Sequence, residues 1–260
     1  MKTLITTFAA IAAICLALPV TAPAQEALQT NSDALRAAVD GKKGAAEIKR
    51  LSVLVFTEAK KDLGPMPADA DKANWDERAK YAQSVVEYAE YALYSASTSA
   101  PAATATDLIA TLETYAPKSK YLTQDAYLVV ANAAFSGQQA DRASAFAKKS
   151  LTAAKGANPE KAAGNAHYII GVVAATKNDF ATADKELRAA LAGVKGTPAM
   201  EGPALYYLGE AAYSLGRKNM DRAGADQGIG FMTKSALIPG QYQAMAGNEV
   251  KRMKTEMGEK

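Results

Sequence analysis

Asn165–Leu191 reads NAHYIIGVVAATKNDFATADKELRAAL, and the fold turns on it. Up to Thr176 small and bulky apolar residues recur at intervals of three and four, the period of a helix. From Phe180 the same period resumes with charged residues between the apolar ones. Lys177-Asn178-Asp179 separates the two halves with polar residues of the kind that reverse a chain. The stretch is therefore two short helices joined by a tight turn. Gly171 on the first and Ala183 on the second are small enough for the helices to approach closely, Ala183 being expected to meet Gly171.

The pattern repeats on both sides. Aligning Ala131, Gly171 and Gly209 gives spacings of 40 and 38 residues. Tyr127, His167 and Leu205 then fall four before the anchor, and Val130, Ile170 and Leu208 one before it. Ala134, Ala174 and Ala212 fall three after. Ala143 and Ala183, Ala147 and Leu187, and Leu151 and Leu191 match further on. The third copy departs from this in its second half: Asp221 stands where the small residue belongs, and Gly224, Gly228 and Gly230 are expected to interrupt the helix. No such pair can bury its apolar face alone, so neighbouring copies are expected to stack.

Over residues 124–236 these features resemble the tetratricopeptide repeat (TPR). The family's first-helix pattern appears as His167-x-x-Ile170-Gly171-x-x-Ala174 and Leu205-x-x-Leu208-Gly209-x-x-Ala212, and its second-helix positions match Ala183, Leu187, Ala190 and Leu191. The family period is 34; the extra residues fall around Gly156-Ala157-Asn158-Pro159 and Gly196-Thr197-Pro198, between helix pairs, where insertion is tolerated. The resemblance implies an all-α fold of antiparallel helix pairs stacked as a short right-handed solenoid, with first-helix residues lining a concave groove. In this chain those positions are Leu128, Tyr168 and Tyr206, then Asn132, Val172 and Glu210, then Phe135 and Tyr213. Aromatic rings beside an amide and a carboxylate suit a peptide or helix held partly by hydrogen bonds. The competing role for the same residues is packing against the N-terminal helices.

The rest of the chain is helical as well. Asn31 or Ser32 is placed to cap a first helix that stops at Gly41. Leu51–Phe56 is strand-like in composition but lies inside Ala45–Lys61, a helical length. A loop over residues 63–73 holds Asp69 and Asp71, which invite a calcium-site interpretation; the glycine and third ligand of such a loop are missing. Asn74 and Glu77 resemble a capping box. Beyond it Tyr81, Val85, Tyr88 and Ala92 form a stripe flanked by Tyr91 and Tyr94, a packing seam rather than a ligand platform. Residues 95–106 are small and polar, and a helix is expected from Asp107 to Tyr115. Near the end Tyr242, Ala246, Val250, Met253 and Met257 share one face, as on a terminal capping helix.

The first 24 residues differ in kind. Lys2, an apolar run from Leu4 to Val20 and Ala22-Pro23-Ala24 make a secretory signal peptide, with cleavage expected after Ala24. Its removal takes away Cys15, the only cysteine, so an exported chain is left without disulfides or thiolate chemistry. The net charge falls from +3 to +2, with 29 basic and 27 acidic residues, which leaves no footprint for nucleic acid. The expected organisation is a leader over 1–24, a helical region over 25–100, TPR-like repeats over 101–240 and a cap over 241–260. The expected location is the periplasm or the exterior, with no membrane span after cleavage.

Catalytic signatures are missing. His167, the one histidine, occupies a position filled by Tyr127 and Leu205 in the other copies and is expected to be structural. No Gly-x-Ser-x-Gly elbow accompanies it, and the glycines of residues 224–230 follow no strand, so they form no phosphate loop. No catalytic residue, metal or cofactor is expected, and the expected function is binding of a protein or peptide in the cell envelope. The enzyme alternative is a carboxylate-based hydrolase acting on glycans, whose two acids would come from distant parts of the chain.

Overall fold

The computed structural model describes residues 23–68 and 70–258. The leader expected over 1–24 lies outside them except for its last two residues, and so does Asp69. Among the described residues the chain forms eleven helices and no strand: α1 (Pro23–Asp40), α2 (Ala45–Asp62), α3 (Lys72–Ser97), α4 (Ala102–Tyr115), α5 (Gln124–Ser136), α6 (Ala140–Thr152), α7 (Pro159–Thr176), α8 (Phe180–Val194), α9 (Pro198–Lys218), α10 (Arg222–Ala236) and α11 (Gln243–Glu256). The chain is all-α. It divides into two compact units, one up to Ala92 and one from Leu93.

In the first unit α1 packs on α2, and Leu28 and Leu35 of the one and Leu51 and Val55 of the other are all buried. Ser32 does not cap α1. The helix opens at Pro23, across the Ala24–Gln25 bond, which leaves Ser32 in its middle with a buried hydroxyl that has no partner. The stop also lies one residue beyond Gly41: Lys42 takes the left-handed conformation (φ 50°), and the Lys43 N–H donates to the Ala38 carbonyl at 2.8 Å. The strand-like Leu51–Phe56 is helical, as its length requires. At α3 the cap is Asp71, not Asn74, its carboxylate accepting from the Asn74 N–H at 2.9 Å. An acid that invited a calcium site is thus explained by a helix start. Asp62, buried at the end of α2, pairs with Arg78.

The second unit repeats one device three times. Three residues join α5 to α6, α7 to α8 and α9 to α10. In each connection the middle residue is left-handed: Gln138 (φ 58°), Asn178 (60°) and Met220 (55°). The N–H after it reaches back over the helix end, from Gln139 to Ala134 (2.9 Å), Asp179 to Ala174 (3.0 Å) and Asp221 to Gly216 (2.8 Å). This Schellman geometry satisfies carbonyls that each helix end would otherwise leave unpaired. It recurs after 40 and then 42 residues (138 to 178 to 220), so the third copy is displaced by one helical turn from the alignment on Gly209. The residue that corresponds to Ala131 and Gly171 is Tyr213, and Ala225 takes the place of Ala143 and Ala183. Asp221 is then no intruder, because it precedes α10 as Asp179 precedes α8.

The glycines of α10 do not break it. A methyl group on Gly228 would lie 2.4 Å from the Tyr213 nitrogen, and one on Gly216 would lie 2.3 Å from the Ala225 nitrogen. They let α9 and α10 approach at backbone distance, as Gly164 and Gly193 do for α7 and α8. The side chain that closes on Gly171 is Leu187, not Ala183. Pro159 and Pro198 open α7 and α9, where a missing N–H costs nothing. Helix α4 starts at Ala102, five residues before the expected Asp107, with Pro101 preceding it. Finally α11 packs on α10 and α9, burying Ala246 and Met253 against Tyr213, Ala225, Ile229 and Met232.

Candidate partner-binding face

The first helices of the three pairs lie in series, α5 against α7 and α7 against α9. They carry all eight residues assigned to the groove. On α5, Leu128, Asn132 and Phe135 are half-buried. On α7, Tyr168 and Val172 are buried, at 8% and 5% exposed. On α9, Tyr206 and Glu210 are half-buried, while Tyr213 is 4% exposed. In the corrected register Glu210 stands three before Tyr213, as Leu128 and Tyr168 stand three before Ala131 and Gly171.

The chain itself engages two of the three buried members, Tyr168 and Tyr213. Phe135 meets Tyr168 edge to face, with ring centroids 5.9 Å apart, which bridges α5 and α7. Burial, with Tyr242 nearby, pushes the Tyr168 hydroxyl up to about 12. Tyr213 donates to the Glu256 carboxylate at 2.8 Å and so ties α9 to α11.

Two residues complete this face that were not assigned to it. Tyr206 packs on Tyr207 (5.3 Å) and on Tyr242 (5.1 Å), and Tyr207 packs on Tyr242 at 5.7 Å. The hydroxyls of Tyr207 and Tyr242 lie 3.1 Å apart. Adjacent tyrosines on a first helix were a visible signal for Tyr207. Nothing local placed Tyr242 there, because it arrives from the connection before α11.

One turn beyond these rings lies Glu210. Among the described residues its carboxylate receives no hydrogen bond or ion pair. Burial first, and then the negative Glu249, raise its pKa above the ordinary carboxylate value against the opposing pull of Arg252. Arg252 is itself held by Glu249 at 2.7 Å and by Glu256 at 2.6 Å.

His167 meets Glu186 at 2.7 Å across α7 and α8, a contact within its own helix pair. Two cavities of about 320 and 310 Å³ open on the second unit. One has a single carboxylate, Asp221, in its lining and the other has none, so neither offers the facing acid pair of a glycosidase. Among the described residues no cluster of His, Cys, Asp or Glu could hold a metal ion, and no helix is long and apolar enough to cross a membrane. Comparison with known protein families, curated proteins and solved structures finds no match.

Proposed function

We propose that this chain is an exported TPR-like scaffold, built of antiparallel helix pairs in a short right-handed solenoid, that binds a protein or peptide through the face of α5, α7 and α9. The observation that carries this is the triplicated turn, which places three equivalent first helices side by side. Leu128, Asn132, Phe135, Tyr206 and Glu210 supply the half-buried contacts of that face, and Tyr168, Val172 and Tyr213 support them from below. The role asks for no catalytic residue or cofactor.

A photo-crosslinking amino acid at Asn132 or Phe135, introduced in the native host, tests the face. The control is Lys185 on α8, whose side chain is 82% exposed. One discrete protein adduct, common to Asn132 and Phe135 and missing at Lys185, is the expected result. Equal labelling from Lys185, or none from the face, would overturn the assignment. Export is tested separately by fractionation with N-terminal sequencing, where a mature chain beginning at Gln25 is expected.

A further inference from the structure

Pro203, Tyr206, Tyr207 and Glu210 follow one another at the i, i+3, i+4 and i+7 positions of α9 and so share one face of the helix. At one end of this stripe Pro198, Ala199 and Pro203, with Ile238, Pro239 and Tyr242 across from them, line the cavity of about 310 Å³. Pro203 has no N–H to give the Ala199 carbonyl, so an acceptor stands at the cavity wall without its helical donor. The middle is the cluster of three tyrosine rings. At the other end lies the Glu210 carboxylate.

The neighbouring cations are already engaged. Arg252 is shared between Glu249 and Glu256, and Arg217 donates to the Glu256 backbone carbonyl at 3.2 Å. A half-buried carboxylate without a partner is costly to keep charged, and a cation beside it relieves that cost. Aromatic faces attract cations and leave anions unrewarded. Carboxylate and rings therefore ask for the same kind of ligand, and the apolar cavity asks for an uncharged side chain next to it.

We infer that this stripe takes a basic side chain from an extended partner segment, with its cation between Glu210 and the tyrosine rings and an apolar residue of the same segment in the Pro203 cavity. Pro203 and Glu210 are seven residues apart, about 10 Å along a helix. A partner segment extended as polyproline II, at about 3.1 Å per residue and about three residues per turn, covers that in about three residues and turns both side chains to the same face. The recognised feature is thus an apolar and a basic residue three positions apart. It specifies the chemistry of the partner and rests on the binding role proposed above.

The test uses the purified full chain and an acetylated, amidated tetrapeptide of leucine, alanine, alanine and lysine. Binding is followed by NMR at the rings of Tyr206, Tyr207 and Tyr242. The lysine peptide is expected to shift these signals, while peptides with norleucine or glutamate in its place bind at least about fivefold more weakly. Glu210→Gln is expected to weaken the lysine peptide about fivefold and at the same time to raise the melting temperature, because an unpaired charge has been removed. Equal binding of the norleucine peptide, no binding of the lysine peptide, or a lower melting temperature of Glu210→Gln would each overturn the inference. The last would show that the carboxylate serves the fold. Because no partner protein is present, such a failure with intact crosslinks at Asn132 removes only the basic side chain; loss of the crosslinks removes the face itself.

Discussion

Two glycines in one turn of α10 face opposite consequences. A Cβ at Gly228 would collide with the backbone of α9, whereas one at Gly230 would meet nothing within 4 Å. Gly228→Ala is therefore expected to cost about 1–3 kcal/mol, the usual penalty of overpacking. Gly230→Ala is expected to gain up to about 1 kcal/mol, because alanine is the better helix former and nothing opposes it. Urea denaturation of both variants checks the pair, and the same sign in both would contradict the close approach of α9 and α10. Met220 holds a third imbalance. It is 94% exposed and left-handed, in the place that Asn178 fills in the central copy. Asparagine tolerates that conformation better than an unbranched apolar residue does. Met220→Asn should gain about 1 kcal/mol in the same assay, with no contact of the side chain lost.

Between elements, the helix pairs were legible because each copy carries its own apolar period and the central one its polar turn at Lys177-Asn178-Asp179. Ala45–Asp62 was legible for a similar reason: its length outweighed the strand-like Leu51–Phe56. The third copy slipped by a turn. Leu208-Gly209 matches the repeat pattern residue by residue, while the feature that fixes the register is a left-handed backbone at Met220, a residue type that does not announce it. The face was half legible. Its first-helix positions could be counted, but Tyr168 packs on Phe135, and Tyr213 is buried with Met232, Ala246 and Met253, all of which lie far away in sequence. The seat of α11 carries its own test. Hydrogen bonds from Tyr213 and then Arg252 hold the Glu256 carboxyl below its ordinary value of 4.5. A depressed folded value means that the contribution is fully present above about pH 4.5 and is lost as pH falls through the folded value. Glu210 has the opposite sign: its raised value costs stability at neutral pH, and acid relieves that cost. Amide exchange in α11, corrected for intrinsic rates, should accelerate between pH 7 and pH 3 relative to α9. Glu256→Gln should show faster exchange already at pH 7 and a smaller change with acid. Identical protection in both proteins would mean that Tyr213 and Arg252 do not anchor the helix.

For the second unit as a whole, the order of contacts predicts how it comes apart. Helix α5 packs on α4, α6 and α7, while α9 packs on α7, α8, α10 and α11; among the described residues α5 and α9 do not meet. In a stack of this kind stability is close to a sum of pair terms and nearest-neighbour terms, so a defect at one end is felt locally. Gly228→Ala, which injures the α9–α10 contact, is expected to raise amide exchange in α9, α10 and α11 in proportion to its destabilisation. Amides of α5 and α6 should stay within about twofold of the parent, because no shared contact transmits the change. A single cooperative core behaves differently, since every slowly exchanging amide reports the same global opening and all lose protection together. Hydrogen exchange read by mass spectrometry on the two proteins separates the cases. A graded loss that fades from α10 towards α5 is what three stacked pairs require, and an even loss from α5 to α11 would show that the triplicated turn is repetition of sequence without independence of the pairs.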